Sequence, residues 1–263
     1  VRHRTWKSLA ALCGALLIAG SGQSIAAAPV SGSLARPAPE SPARPLFPIA
    51  GQTVVLDPGH NGGGAAHSDE INAQVPDGRG GMKPCNTTGT SGDDGYTEHE
   101  FNWDVAQRVR DLLSARGYQV IMSRDSDTGV GPCVNDRGTL GNRVGAAAVV
   151  SIHADGAPAG AHGFHVAYSS PALNDAQSGP SVRLATALRD TMAGAGFTTS
   201  TYVGSDGLNP RADLAGLNFS ERPTALVECG NMRDPGDAAV IESPDGRARF
   251  AQAIANAIAA YLG

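Results

Sequence analysis

Thr53-Val54-Val55-Leu56-Asp57-Pro58-Gly59-His60 is a β-branched apolar run that breaks on a Pro-Gly turn and ends in a histidine. Two later stretches follow the same plan. Ala148-Val149-Val150-Ser151-Ile152 runs into His153, and Thr224-Ala225-Leu226-Val227 runs into Glu228. Short apolar runs bounded by polar, Gly-rich sequence have the character of fully buried strands. If all three are parallel strands of one sheet, their C-terminal ends share an edge, and open α/β sheets hold their ligands at that edge. Two imidazoles and a carboxylate then converge from distant parts of the chain, as a hydrolytic zinc site requires.

Outward from these runs, strand and helix patterns alternate. Residues 52–56 read as a strand. Residues 61–97 are long, polar and rich in Gly, which in a compact domain marks a functional or mobile segment. Phe101, Val105, Val109, Leu112 and Leu113 then recur at helical spacing, and Gly117 supplies a C-terminal stop. A strand is expected at 118–122, a second polar segment at 124–135, a helix at 136–147 and strands at 148–152 and 163–168. Val182, Ala185, Leu188 and Met192 mark a helix stopped near Gly194 and Gly196. A strand at 224–228 precedes a C-terminal helix marked by Phe250, Ile254, Ile258 and Tyr261. This order predicts an α/β fold: a single domain with a mostly parallel, twisted sheet, helices on both faces and right-handed crossovers.

The domain does not fill the 263 residues. Arg2, Arg4 and Lys7 precede an apolar stretch from Leu9 to Gly20, followed by small residues ending Ala26-Ala27-Ala28. That stretch is too short to span a bilayer, so residues 1–28 read as a secretory signal peptide. An uncleaved anchor is the competing reading. Residues 29–50, rich in Pro, Ala and Ser, bury too little apolar surface to offset their ordering entropy and read as a flexible linker. Residues 51–263 remain as one catalytic-sized domain. Processing would take the formal charge from −5 to −8, because three basic residues leave and no acid leaves with them. A mildly acidic exported chain has no electrostatic case for nucleic acid and keeps no integral membrane span. Nothing calls for an obligate oligomer, so a monomer is expected. Export permits disulfides. Cys85 and Cys133 lie in polar, Gly-rich segments and are expected to pair. Two free thiols, or pairing with the otherwise buried Cys229, are the alternatives.

His60 and His153 follow strand ends, and Glu98 begins the helix after the long segment, so all three can face one edge. No compact ligand motif such as HExxH or CxxC is present. Each residue also has a plainer reading: a hydrogen-bonded structural histidine, or an acid at a helix start acting as dipole partner. Glu228 is placed to take a proton from water and give it to a leaving amine. Its plainer reading is a buried acid paired with Arg143 or Arg222.

At these residues the chain resembles the zinc-dependent N-acetylmuramoyl-L-alanine amidases of the bacterial cell wall, across essentially all of residues 52–263. Val54 to Gly62 resembles the opening strand and first zinc ligand, with Asn61 where the family often has Gly. Glu98-His99-Glu100 resembles the Glu-Lys-Asp segment of the second ligand, with His99 in place of Lys. Ser151-Ile152-His153-Ala154-Asp155 resembles the segment of the third ligand, and Leu226-Val227-Glu228 the segment of the catalytic glutamate. The resemblance implies a sheet of about six strands and one Zn2+ held by His60, Glu98 and His153. It also implies Glu228 as catalytic base and acid, and peptidoglycan or muropeptide fragments as substrate, cut between the lactyl group and L-alanine. Segment 61–97 is then expected to form a mobile flap or hairpin rather than a blocking helix. His67 and His99 are near enough in sequence to contact substrate, and His162 and His165 fit a strand and its approach, but for all four an ordinary exposed or hydrogen-bonded histidine is the favoured reading. A wall carboxypeptidase, a deacetylase or a non-catalytic wall-binding module are the rival functions.

Overall fold

The computed structural model describes residues 52–158 and 160–263. The expected leader over 1–28 and linker over 29–50 lie outside the described residues. β1 (Thr53–Pro58) is followed by a 3-10 turn at Gly64–Ala66, the single-turn α1 (Ser68–Ile71), and a hairpin of β2 (Gln74–Pro76) and β3 (Met82–Pro84). α2 (Glu98–Ala115), β4 (Gln119–Met122), α3 (Val134–Val144) and β5 (Ala148–Asp155) come next. β6 (His165–Ser169), α4 (Asp175–Ser178), α5 (Pro180–Gly194), β7 (Leu208–Arg211) and α6 (Ala215–Asn218) lead to β8 (Thr224–Asn231). α7 (Pro235–Ile241) and α8 (Pro244–Leu262) close the chain.

Six strands form one sheet in the order β4-β1-β5-β8-β6-β7. The first four are mutually parallel, whereas β6 runs antiparallel to β8 and carries β7 parallel to itself. Helices cover both faces, as expected. On one, Val54, Leu56, Val150, Ile152 and Val227 pack in a core with Phe101, Val105, Leu188 and Ile254 of α2, α5 and α8. On the other, Val55 and Val149 meet Leu140 and Val144 of α3, and Ala167 and Leu226 meet Leu217 of α6. Alternation along each strand thus sends its apolar residues into two cores, which is why these runs are mostly apolar on both faces.

Several elements exceed their sequence limits. β5 and β8 run on to Asp155 and Asn231, so His153 lies within a strand rather than just beyond it, and Glu228 lies inside a strand rather than at its end. β7 was not foreseen. Segment 61–97 holds a short hairpin, in line with the expectation of one. It is fastened to the sheet: Arg79 donates to Asn218, Ser169 and the Pro171 carbonyl, and Lys83 to the Asp213 carbonyl. The expected Cys85–Cys133 disulfide is present, and Cys229 is a buried free thiol.

Candidate metal centre

β1 and β5 pair as far as Pro58 and Ile152, and the Gly59 amide donates to the Ile152 carbonyl at 3.0 Å. This register brings His60 up beside His153. The approach needs a glycine at 59, because a Cβ there would lie 2.0 Å from the His153 ring. His60 itself has a φ of +58°, a left-handed conformation that few side chains other than Asn, Asp and His adopt readily. Two buried arginines hold this turn. Arg137 donates to the carbonyls of Pro58 and His60, and Arg124 to those of Pro58 and His99. Arg137 also pairs with Asp57 at 2.9 Å, while Ser123 and Ser151 donate to the same carboxylate. Burial opposes the charge on Asp57, but the Arg137 guanidinium together with the Ser123 and Ser151 hydroxyls holds the carboxyl below its usual range.

Thr97 caps α2 in a reciprocal box with Glu100, which fixes Glu98 as the first helical residue. Glu98 Oε1 lies 3.1 Å from His60 Nε2 and 2.8 Å from His153 Nδ1. Its Oε2 accepts the Thr90 amide at 3.0 Å. The two imidazoles stand edge to face with centroids 5.0 Å apart. One donor atom from each of His60, Glu98 and His153 lies within 4.8 Å of the others, so the three could hold a metal ion. The donor chemistry fits: two imidazoles and one carboxylate are a catalytic zinc set. His60 Nδ1 sits 2.8 Å from the Thr87 carbonyl, which selects the tautomer with a free Nε2 lone pair facing the centre. Burial disfavours charge on both Glu98 and His60. Their mutual attraction, joined by His153 at Glu98 and by the Thr87 carbonyl at His60, prevails, lowering the Glu98 carboxyl and raising the His60 imidazole from their usual values.

Glu228 pairs in register with His153 from the neighbouring strand, which places their backbones about 5 Å apart. Its Oε2 is buried with no hydrogen-bond partner. The suggested arginine pairings do not form: Arg222 donates to the Ala146 carbonyl and Arg143 to Thr139. Burial, reinforced by the charges of Glu98 and Asp155, raises the Glu228 carboxyl well above 4.5. On the far side of Glu228, Asp155 accepts from Tyr202 at 2.9 Å and approaches His165 Nε2 at 3.4 Å. His165 pairs opposite Glu228 on β6.

Among the described residues, the other histidines are not part of the triad. His99 pairs with Asp127, His67 with Glu70, and His162 is held at the Gly160 carbonyl. An apolar cavity of about 250 Å³ opens at His60 and His153 and follows the sheet face down to Val149 and Leu226. The arginine clasp and the Asp155–Tyr202–His165 group escaped sequence reading.

The family model described as N-acetylmuramoyl-L-alanine amidase matches residues 54–260. The chain is similar to the N-acetylmuramoyl-L-alanine amidase Rv3717 of Mycobacterium tuberculosis, at 47% identity over 81% of this chain and 88% of that protein. Among solved structures it is similar to the N-acetylmuramyl-L-alanine amidase Ami1 of Mycobacterium smegmatis, with a TM-score of 0.80 and 53% identity over 82% of this chain and 99% of that one. The apo form of Ami1 from Mycobacterium abscessus gives a TM-score of 0.79 and 50% identity over 82% of this chain and 100% of that one.

Proposed function

The chain belongs to the N-acetylmuramoyl-L-alanine amidase family, and from that premise we propose that it is an exported, zinc-dependent enzyme of the cell wall. It hydrolyses the amide between the lactyl group of N-acetylmuramic acid and L-alanine of the stem peptide, in intact peptidoglycan or in muropeptide fragments. His60, Glu98 and His153 hold one zinc ion. The convergence of their three donors beside Glu228 is the observation that carries this reading. When bound, zinc supplies Lewis-acid polarisation of a carbonyl and acidification of water. Thr87 and Asn102 orient the ligands: the Thr87 carbonyl fixes the His60 tautomer, and the Asn102 amide bridges the Gly59 carbonyl and Glu98. Glu228 takes a proton from the attacking water on its unpartnered oxygen and returns it to the alanine nitrogen as the amide breaks. Its raised affinity for a proton favours the first half of that cycle, in which the carboxylate takes the proton.

The domain plan goes with this function: a leader over 1–28, a linker over 29–50 and a catalytic domain over 51–263, acting as a monomer. No helix among the described residues is long and apolar enough to cross a membrane. The test is to incubate the protein with a muramoyl peptide and follow products by mass, with and without chelator, beside Glu228→Ala. Release of the free lactyl acid and an L-alanyl amine, lost in both controls, supports the reading. A released terminal residue or a lost acetyl group instead would assign a carboxypeptidase or a deacetylase.

A further inference from the structure

One buried group at the sheet edge has no part in the proton cycle above. β5, β8 and β6 are adjacent, and their registers set His153, Glu228 and His165 side by side in one row across the three strands. Residues paired in this way project from the same face, about 5 Å apart from strand to strand. Glu228 therefore stands between two imidazoles, the candidate metal ligand on one side and His165 on the other. In the next row down, Ala167 pairs with Leu226 and both pack on Leu217. The packing of this face does not itself call for an imidazole at 165.

His165 is 2% exposed, and both ring nitrogens face polar groups from other elements. Nε2 lies 3.4 Å from Asp155 Oδ2, and Asn209 of β7 brings its Nδ2 to 3.5 Å from Nδ1. An amide nitrogen can only donate, so this arrangement selects the tautomer with hydrogen on Nε2. Asp155 is held in turn by the Tyr202 hydroxyl at 2.9 Å and the Gly156 amide at 2.7 Å. The Tyr202 ring meets the His165 ring edge to face, with centroids 6.0 Å apart. The segment that carries Tyr202 is tied to the approach of β6, since the Ser200 and Thr201 amides donate to the Phe164 and His162 carbonyls at 2.7 and 3.0 Å. Side chains from β5, β7 and this segment thus lock the His165 imidazole beside Glu228.

Glu228 has no comparable anchor. Its Oε2 is buried without a hydrogen-bond partner, so packing rather than hydrogen bonding sets where that oxygen points. We propose that His165 is a positioning residue for Glu228; this rests on the amidase reading. The locked imidazole closes the side away from the metal ligands and holds the carboxylate towards them, while Asp155, Tyr202 and Asn209 keep the ring in place. A carboxylate that moves a proton from water to the alanine nitrogen must stay within hydrogen-bond reach of both. A displacement of about 1 Å is enough to cost about 10²-fold in rate. His165 acts on the reaction only through Glu228.

Turnover of a muramoyl peptide by the zinc-loaded protein, beside zinc affinity by chelator competition, tests this. His165→Ala is expected to lower kcat by about 10²-fold, with KM and zinc affinity within about twofold of wild type. His165→Gln fills the space and can still donate to Asp155, so it is expected to recover part of the loss. Tyr202→Phe removes one hydroxyl from a half-buried side chain and is expected to lower kcat by about threefold to tenfold. It carries the test if His165→Ala does not fold. In the Glu228→Ala background neither substitution is expected to lower the residual rate further, because groups that act as one unit are not additive. Unchanged kcat, a loss of the same factor in both backgrounds, or a loss confined to KM or zinc affinity overturns the proposal. A wild type that does not cleave removes the amidase reading, and the contact is then judged on urea unfolding of the metal-free protein. There, effects of His165→Gln and Glu228→Gln that simply multiply in the unfolding constant overturn it, and a departure of about twofold or more keeps it.

Discussion

Glu228 combines two properties that oppose each other in the folded chain. Its position beside His153 suits proton transfer, but its buried carboxyl faces the charges of Glu98 and Asp155 and resists ionisation. A carboxyl whose folded pKa is raised contributes stability below its unfolded value of 4.5, and that contribution is lost as pH rises through the folded value. Glutamine is isosteric and never ionises. Metal-free Glu228→Gln is therefore expected to unfold at a higher temperature than metal-free wild type at pH 7, and at nearly the same temperature near pH 4. Turnover in the metal-loaded variant is expected to fall by about 10²–10⁴-fold, the usual weight of a positioned acid–base group. Equal thermal stability at pH 7 would count against the strained-acid account. Asp57 behaves oppositely: its depressed carboxyl stabilises the fold above its usual 3.8 and ceases to do so as pH falls below that value. Asp57→Asn strands the buried Arg137 charge, so a loss of about 3 kcal/mol is expected at pH 7. Denaturant titrations should show the gap to wild type closing at low pH.

At the scale of elements, the site depends on what holds the loops above the sheet. The Cys85–Cys133 bond closes a loop with a sequence separation of 48 and ties the β2–β3 hairpin to the start of α3. Chain-entropy reasoning assigns such a loop about 4 kcal/mol. The double variant Cys85→Ser/Cys133→Ser is expected to lose up to that amount, with faster amide exchange in β3 and the 87–91 loop and unchanged exchange in β1, β5 and β8. Exchange that stays the same in the hairpin would remove its role as a tether. The strands that carry the site were legible because two-sided burial makes them nearly all apolar, as in Val54-Val55-Leu56 and Val149-Val150. β7 was not, since Leu208-Asn209-Pro210-Arg211 is an edge strand with a proline and a single aliphatic side chain. The reversed direction of β6 was hidden too, because pairing partners distant in sequence leave no local trace. Arg124 and Arg137 looked like solvated loop and helix charges. Their burial depends on the Pro58-Gly59-His60 turn, which forms only once β1 and β5 have paired.

Across the whole molecule, the candidate ligands come from the end of β1, the first turn of α2 and the interior of β5, and Glu228 comes from β8. No local segment brings two of these ligands together, so an unfolded chain has no comparable site. Metal should consequently bind the folded state alone and stabilise it by mass action. Free metal at a thousand times its dissociation constant contributes about 4 kcal/mol. For a domain of this size, that corresponds to a rise of roughly 10 °C in Tm. Thermal scans of zinc-loaded and chelated protein should differ by about that much, while Glu98→Ala should give the same Tm under both conditions. The variant is the informative arm. It removes the carboxylate that sits between the two imidazoles but leaves His60 clasped by Arg137 and His153 within its strand. A zinc-dependent shift that persists in Glu98→Ala would place the stabilising ion elsewhere in the molecule, and the assignment of His60, Glu98 and His153 as a single centre would fall with it.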